Sequence, residues 1–212
     1  MTINDHRTDH AADARLSALR GAVTSLLIRL ETDVDQDGWD QPPALFGIFH
    51  HPHPHPASAD YAVELDGSLV GPGTWHRPDP AVPAGSDANL HPVDILLSLP
   101  DELDGPAMRS WLDGWLHRDG RQLLGFGFCF EAWQGRIRPG YRHGDLAQAP
   151  AWQRTEVRAV AALDRHGHTW QLIRPRGANR ASLTTSDNPG QRIAASRILA
   201  GLHRLNHLGR RR

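Results

Sequence analysis

The feature that most constrains the fold is the segment QLLGFGFCFEAW, residues 122–133. Bulky and small residues alternate along it, with one side formed by Leu124, Phe126, Phe128 and Phe130 and the other by Gly125, Gly127 and Cys129. Because successive side chains of a strand point to opposite faces, this pattern predicts a β-strand with one bulky face and one nearly bare face. The bare face can accept either a closely packed helix or a bound ligand. The segment therefore predicts the centre of a sheet.

The remaining patterns predict helices before and after a set of strands. Three-and-four spacing of apolar residues indicates an amphipathic helix, and alternation flanking the turn DRHG indicates a hairpin. The predicted elements are a helix at 11–31, strands at 44–49 and 61–65, a helix after Pro106, a hairpin of 155–163 and 168–174, and a last helix capped by Asn188-Pro189. We predict an α+β fold: an antiparallel sheet of about four to five strands, packed by N-terminal and C-terminal helices.

A single domain is expected, since the sequence shows no internal repeat and no second core. The domain is predicted over residues 11–208, after a flexible N-terminus at 1–10 and before a basic tail at 209–212. Residues 71–92 are rich in Pro, Gly and Asp, which predicts a long loop. The short apolar run at 93–99 fits a turn of helix or a strand.

The compartment is predicted from what the sequence lacks. Its one cysteine, Cys129, cannot form an internal disulfide, which favours a reducing setting. The polar N-terminus has no signal-peptide core, and no apolar run approaches the ~20 residues that span a bilayer. We expect a cytoplasmic protein with no membrane partner.

The two halves of the chain carry opposite charge. Residues 1–110 hold 17 acidic residues and 6 arginines, a net charge of −11, whereas residues 111–212 hold 7 acidic residues and 17 arginines, a net charge of +10. Either the halves pack together and neutralise each other, or a basic surface binds a polyanion such as nucleic acid. The arginines that could contact phosphate are Arg174, Arg176, Arg180, Arg192, Arg197 and the tail Arg210, Arg211 and Arg212.

A histidine run, HHPHPH, follows the predicted strand at 44–49. Its imidazoles are His50, His51, His53 and His55. Zinc needs three or four converging ligands, which an extended His-Pro segment does not supply alone. The run is therefore interpreted as a polar loop, or as part of a metal site completed elsewhere, and adventitious binding of nickel, copper or zinc is expected in either case. No resident cofactor is predicted.

Two further sets of polar residues are candidate sites. Glu131 falls on the glycine-bearing face, where a buried carboxylate must be paired or protonated, and Arg158 or Arg136 could pair with it. A binding or acid–base role is the alternative. His203 and His207 stand four apart on the last predicted helix and could share a metal, or could simply complement the helix C-terminus. Cys129 is expected to be an inert core thiol.

Two segments resemble a known group of proteins. GWDQPPALF at 38–46, and FGFCFEAW at 126–133 followed by the hairpin TEVRAVAALDRHGHTWQLIRPRG, are similar to segments of small α+β proteins of actinobacteria and their phages. The resemblance covers about half the chain. It implies the fold sketched above and a cytoplasmic setting, and it implies no activity, because such proteins mostly have no assigned function.

Three hypotheses for the function follow. The first is a non-enzymatic interaction protein that binds another protein or a second copy of itself, with tryptophans as interface anchors. The second is a nucleic-acid accessory factor that uses the arginine-rich C-terminal half. The third is a metal-dependent enzyme built on the run from His50 to His55. The sequence favours them in that order.

Overall fold

The computed structural model describes residues 3–52, 62–81, 89–135, 154–187 and 196–210. In these ranges the chain forms an α+β domain with helices on both faces of an antiparallel sheet. The helices are α1 (Ile3–Gln36), α2 (Pro92–Leu103), α3 (Pro106–Leu116) and α4 (Arg197–Arg210). The strands are β1 (Ala44–His51), β2 (Ala62–Asp66), β3 (Gln122–Gly135), β4 (Arg154–Asp164), β5 (Thr169–Pro175) and β6 (Ser182–Ser186). The predicted fold class is confirmed.

The sheet has six strands in the order β2-β1-β3-β4-β5-β6, so it is slightly larger than predicted. Each neighbouring pair is antiparallel, and β3 lies at the centre between β1 and β4, as its pattern indicated. The strand that the sequence did not reveal is β6. Its five residues, SLTTS, are short and mostly polar, and all of them are exposed or half-buried, so they lack the alternation that marks a half-buried strand.

The phenylalanine face of β3 forms the larger core with α2, α3 and α4. Phe128 is fully buried and its ring lies 5.2 Å from the ring of Trp75 and 5.2 Å from that of Phe130. Phe126 stacks on Trp115 of α3 at 6.1 Å. Such aromatic pairs add about 0.5–1.5 kcal/mol each beyond the area that they bury.

The glycine face of β3 is covered by α1. Val23 and Leu27 of α1 are buried in a second core that includes Cys129. At Gly127 the missing side chain leaves room for the ring of Phe46, because a Cβ there would lie 2.3 Å from its Cε2 atom. A helix and a ring from β1 therefore fill the bare face, and the ligand alternative for that face is wrong.

One side chain of β3 faces the opposite way from the prediction. The β1–β3 register passes from Ile48 opposite Gly125 to Phe49 opposite Leu123, which leaves Leu124 as the extra residue of a β-bulge. A bulge reverses the alternation beyond it. Leu123 therefore packs in the phenylalanine core, and Leu124 packs towards α1.

Three segments are more regular than the sequence indicated. Helix α1 begins at Ile3, ahead of its apolar stripe, and the flexibility expected for residues 1–10 stays a prediction. The expected loop at 71–92 contains a 3₁₀ turn that buries Trp75, and Pro78 bridges to Asn89. The apolar run at 93–99 belongs to α2. The predicted cap Asn188-Pro189 lies outside the described residues.

No helix in the described ranges combines the length and the apolar character that crossing a bilayer requires.

Candidate functional site

The structure brings Glu131 and Arg158 together on the glycine face. They are directly opposite each other in the β3–β4 register, and Nη2 of Arg158 lies 2.9 Å from Oε1 of Glu131. The Arg158 side chain is wholly buried, and its Nη1 also lies 3.2 Å from Oδ1 of Asp35 in α1. The carboxylate predicted to need a partner therefore has one, and it is Arg158. Arg136, the other candidate, lies outside the described residues.

Arg174 on β5 makes a parallel set of contacts with α1. Its Nε and Nη2 atoms donate to the two carboxylate oxygens of Glu31 at 2.6 and 2.7 Å, and Nη1 lies 3.2 Å from Oδ2 of Asp35. Both Glu31 and Arg174 are buried. Donating these hydrogen bonds to Glu31 raises the pKa of Arg174 above its ordinary value. This bidentate geometry is the strong form of an ion pair, and it holds the C-terminal end of α1 on the sheet.

The segment between α1 and β1 closes over Arg158. The ring of Trp39 lies 4.6 Å from the Arg158 guanidinium and 5.2 Å from that of Arg176. Asp40 adopts φ +69° and its backbone N–H donates to Oε2 of Glu131 at 2.8 Å. The GWDQPP and FEAW segments, distant in sequence, therefore contact each other. We call this set of residues the ion cluster; its members are Glu31, Asp35, Trp39, Asp40, Glu131, Glu156, Arg158, Arg174 and Arg176.

Part of the ion cluster has the spacing of a cation site. One carboxylate oxygen each from Asp40, Glu131 and Glu156 lie within 4.8 Å of one another. Two guanidinium groups already balance them, since Arg176 contacts Glu156 at 2.5 Å and Asp40 at 3.7 Å while Arg158 contacts Glu131. The arrangement is therefore that of a structural ion network that joins α1 to three strands.

Across the molecule, arginines of the C-terminal half pair with acids of the N-terminal half. Arg121 contacts Glu64 at 2.6 Å and Asp66 at 2.7 Å. Similar pairs join α4 to α2, with Arg197 against Asp94 and Arg204 against Asp101. The ion cluster continues this pattern. Among the described residues these pairs favour the neutralisation alternative, and Arg158, Arg174, Arg176 and Arg197 are engaged by carboxylates. Arg180 is exposed, and Arg192 lies outside the described residues.

The histidine run divides between the sheet and the undescribed part of the chain. His50 and His51 are the last residues of β1, so their side chains point to opposite faces and do not converge on one ion. The Nε2 atom of His51 lies 2.6 Å from a carboxylate oxygen of Glu64, and this hydrogen bond is the largest cause of a lowered pKa of Glu64. His53 and His55 lie outside the described residues.

A cleft at the end of α4 brings Arg210, a candidate from the sequence, together with basic side chains that the sequence did not single out. It has a volume of about 610 Å³ and lies between the end of α4, the start of β3 and the β4–β5 turn. Its basic residues are His117, Arg121, Arg165, His166 and Arg210, and its described lining includes no carboxylate. Leu116, Leu123 and Leu124 form an apolar part of its wall. We call it the cationic cleft.

The cleft is shaped by a tightly bonded turn. Oδ1 of Asp164 accepts the backbone N–H of His166 at 2.8 Å and that of His168 at 2.7 Å. The N–H of Arg165 donates to the carbonyl of Leu124 at 2.7 Å. Nδ2 of Asn206 on α4 donates to the carbonyl of Leu163 at 3.0 Å and so attaches the helix to the turn. The positions of Arg165 and His166 are therefore set by the scaffold.

A smaller cleft of about 200 Å³ adjoins the first and shares Arg165, His166 and Arg210 with it. It adds His203 and His207, whose rings are 4.4 Å apart. Burial lowers the pKa of His203, and the charges of His207 and Arg210 lower it further.

Comparisons of the chain with models of known protein families, with curated proteins and with solved structures find no match in any of the three.

Proposed function

We propose that this chain is a non-catalytic, cytoplasmic accessory protein that binds single-stranded nucleic acid through its phosphates in the cationic cleft. The observation that carries the proposal is the lining of the cleft, where three arginines and two histidines meet with no carboxylate among the described residues. The guanidinium group is suited to phosphate because its planar donors match the oxygens of the anion. A volume of about 610 Å³ lies in the range of pockets that hold a nucleotide-sized ligand.

The available charge in the cleft comes from Arg165 and Arg210. Arg121 is balanced by Glu64 and Asp66, so it shapes the wall more than it attracts an anion. Arg210 is exposed and is followed in sequence by Arg211 and Arg212. The proposal therefore uses only the arginines that the N-terminal acids do not engage.

The apolar part of the cleft wall favours single-stranded nucleic acid over a duplex. Proteins that bind single strands combine a basic groove with surfaces on which bases stack, and imidazole rings serve as such surfaces. His117 and His166 lie beside the leucines of the same cleft.

The two candidate reactive residues, Cys129 and Glu131, are not activated for catalysis, which favours a binding role. Burial raises the pKa of the Cys129 thiol to about 12, so it is not an activated nucleophile. Glu131 is held by Arg158 and by the N–H of Asp40, which leaves it as a structural anion.

The test is binding of labelled single-stranded RNA, single-stranded DNA and duplex DNA of about 12 nucleotides, measured by fluorescence anisotropy at about 50 and 200 mM salt. We expect binding of single strands that weakens with salt. The double variant Arg165→Gln/Arg210→Gln should bind more weakly and lower the slope of log K against log salt by roughly 1.4, which is about 0.7 for each lost contact.

The matched control is Arg197→Gln/Arg204→Gln, which also removes two positive charges, both from the side of α4 that faces α2. It should bind as the wild type does. The proposal is overturned if the wild type binds no nucleic acid at the lower salt, or if both double variants lose the same affinity.

A further inference from the structure

The two edges of the sheet differ in how they are protected. At one edge, β2 carries Glu64 and Asp66, whose carboxylates bind Arg121. At the other edge lies β6, whose five residues contain no charge and no proline. All five pair with β5 in unbroken register, so no bulge interrupts the strand. Natural sheets usually protect an edge with charge, proline or a bulge, and β6 has none of these.

In the described part of the chain β5 is the one strand that pairs with β6, so no described strand lies along the outer edge of β6. The backbone N–H and C=O groups along the outer side of an edge strand are those with which another strand can pair. Its side chains are also uncovered. Leu183 is 40% exposed although it pairs with the buried Leu172 of β5.

The sequence of β6 matches a second copy of itself. SLTTS reads almost the same in both directions, so an antiparallel pair centred on Thr184 places serines opposite serines and the two copies of Thr184 opposite each other. Leu183 then lies beside Thr185 of the second copy, on the face that α1 covers further along the sheet. Pairs of β-branched and apolar side chains across antiparallel strands are favourable.

The residues that flank β6 have complementary charges. Arg180 precedes the strand and is exposed, and Asp187 follows it with 73% of its side chain exposed, while one of its oxygens, Oδ1, contacts Arg20 and His168 of the same chain. In the antiparallel pair, Arg180 of each copy lies one position from direct register with Asp187 of the other. The two-fold arrangement therefore forms two opposite-charge contacts, one at each end.

We propose that two copies of this chain associate through antiparallel pairing of their β6 strands, which joins the two sheets into one of twelve strands. An interface of this kind is isologous, as in most homodimers. Its small area predicts weak association, with a dissociation constant of roughly 1–100 µM. This proposal is independent of the cationic cleft, which lies at the end of α4.

The test places charge on the two-fold axis. Thr184→Glu and Thr184→Arg each bring two like charges together, so each variant alone should be monomeric by analytical ultracentrifugation at concentrations where the wild type is dimeric. An equimolar mixture should recover the dimer, because each interface then pairs a glutamate with an arginine. Thermal melts of the two variants show that each is folded.

The control substitutions are Gln36→Glu and Gln36→Arg, at an exposed position at the end of α1. They should leave the dimer unchanged. The proposal is overturned if the wild type sediments as a monomer up to about 500 µM, if the Thr184 variants remain dimeric, or if the mixture of the two folded variants stays monomeric.

Discussion

Arg158 and Glu131 form an ion pair at the centre of the sheet, with the guanidinium wholly buried and Nη2 2.9 Å from Oε1. Asp35 of α1 lies on the other side of the same guanidinium at 3.2 Å. One cation therefore holds a carboxylate of the sheet and a carboxylate of the helix. Removing this guanidinium leaves Glu131, whose side chain is only 13% exposed, without its cation, which costs far more than the pair itself contributes.

Arg158→Met is accordingly expected to lower the free energy of unfolding by about 3–5 kcal/mol, measured by urea denaturation. Arg176→Met, in the half-exposed part of the same ion cluster, should change the urea midpoint little. The double variant Arg158→Met/Glu131→Gln should recover part of the loss. Equal effects of the two single arginine variants would contradict the structural role assigned to Arg158.

The close contact of Gly127 with Phe46 predicts a repairable overpacking. A Cβ at residue 127 would lie 2.3 Å from the Phe46 ring, and a smaller side chain at position 46 would relieve this clash. Gly127→Ala should cost about 1–3 kcal/mol, and adding Phe46→Leu should give a combined loss smaller than the sum of the two.

Gly125 is the matched comparison on the same face. There a Cβ would lie 2.2 Å from the backbone oxygen of Leu163, which cannot rotate away. Gly125→Ala should therefore destabilise more than Gly127→Ala, and Phe46→Leu should not relieve it. The measurement is a set of urea unfolding curves for the single and double variants. A rescue at residue 125 equal to that at residue 127 would show that the ring of Phe46 does not fill the gap.

The sheet could be predicted from the sequence because its signal is local. The alternation in β3 and the turn between β4 and β5 each lie within about a dozen residues, and such patterns report directly on which face is buried. The bulge at Leu124 escaped prediction, since it depends on how β1 pairs with β3. The edge strand β6 escaped because a mostly exposed strand has no apolar period.

The site was less predictable, because its contacts join distant segments. Asp40 and Glu131 are separated by 91 positions and Arg174 and Glu31 by 143. Charge counting indicated that the halves could neutralise each other but could not say which arginines would remain. Arg165 and His166 read as turn residues and Arg210 as part of a tail, so only the fold shows that they line one cleft.

Cys129 should be unreactive in the native protein. It is buried, and a pKa of about 12 leaves roughly one thiol in ten thousand ionised at pH 8. We expect labelling by a disulfide reagent such as DTNB to be slow in native buffer and to accelerate with urea in proportion to unfolding. Fully denatured protein, as the control, should react with one equivalent. Rapid labelling of the native state would show that α1 does not cover this face.

His203 predicts a pH dependence of stability. Its pKa is lowered in the folded state by burial, by His207 and by Arg210. As pH falls through the ordinary histidine range near 6.5, the unfolded chain takes up this proton before the folded chain does, so this residue lowers the stability of the folded state as pH falls. His203→Gln should narrow the difference in urea midpoint between about pH 7.5 and 5.5.

The pKa of His203 is also a measure of binding in the adjoining clefts, because an anion bound near His203 would oppose the positive charges that lower this pKa. NMR titration of the imidazole should give a higher pKa for His203 when single-stranded nucleic acid is bound, and His207→Gln should raise it in the free protein by removing one of those charges. A pKa of His203 that rises with His207→Gln but not with the bound strand would place the strand elsewhere on the surface. If His207→Gln leaves the pKa of His203 unchanged, burial and Arg210 account for its lowering without His207.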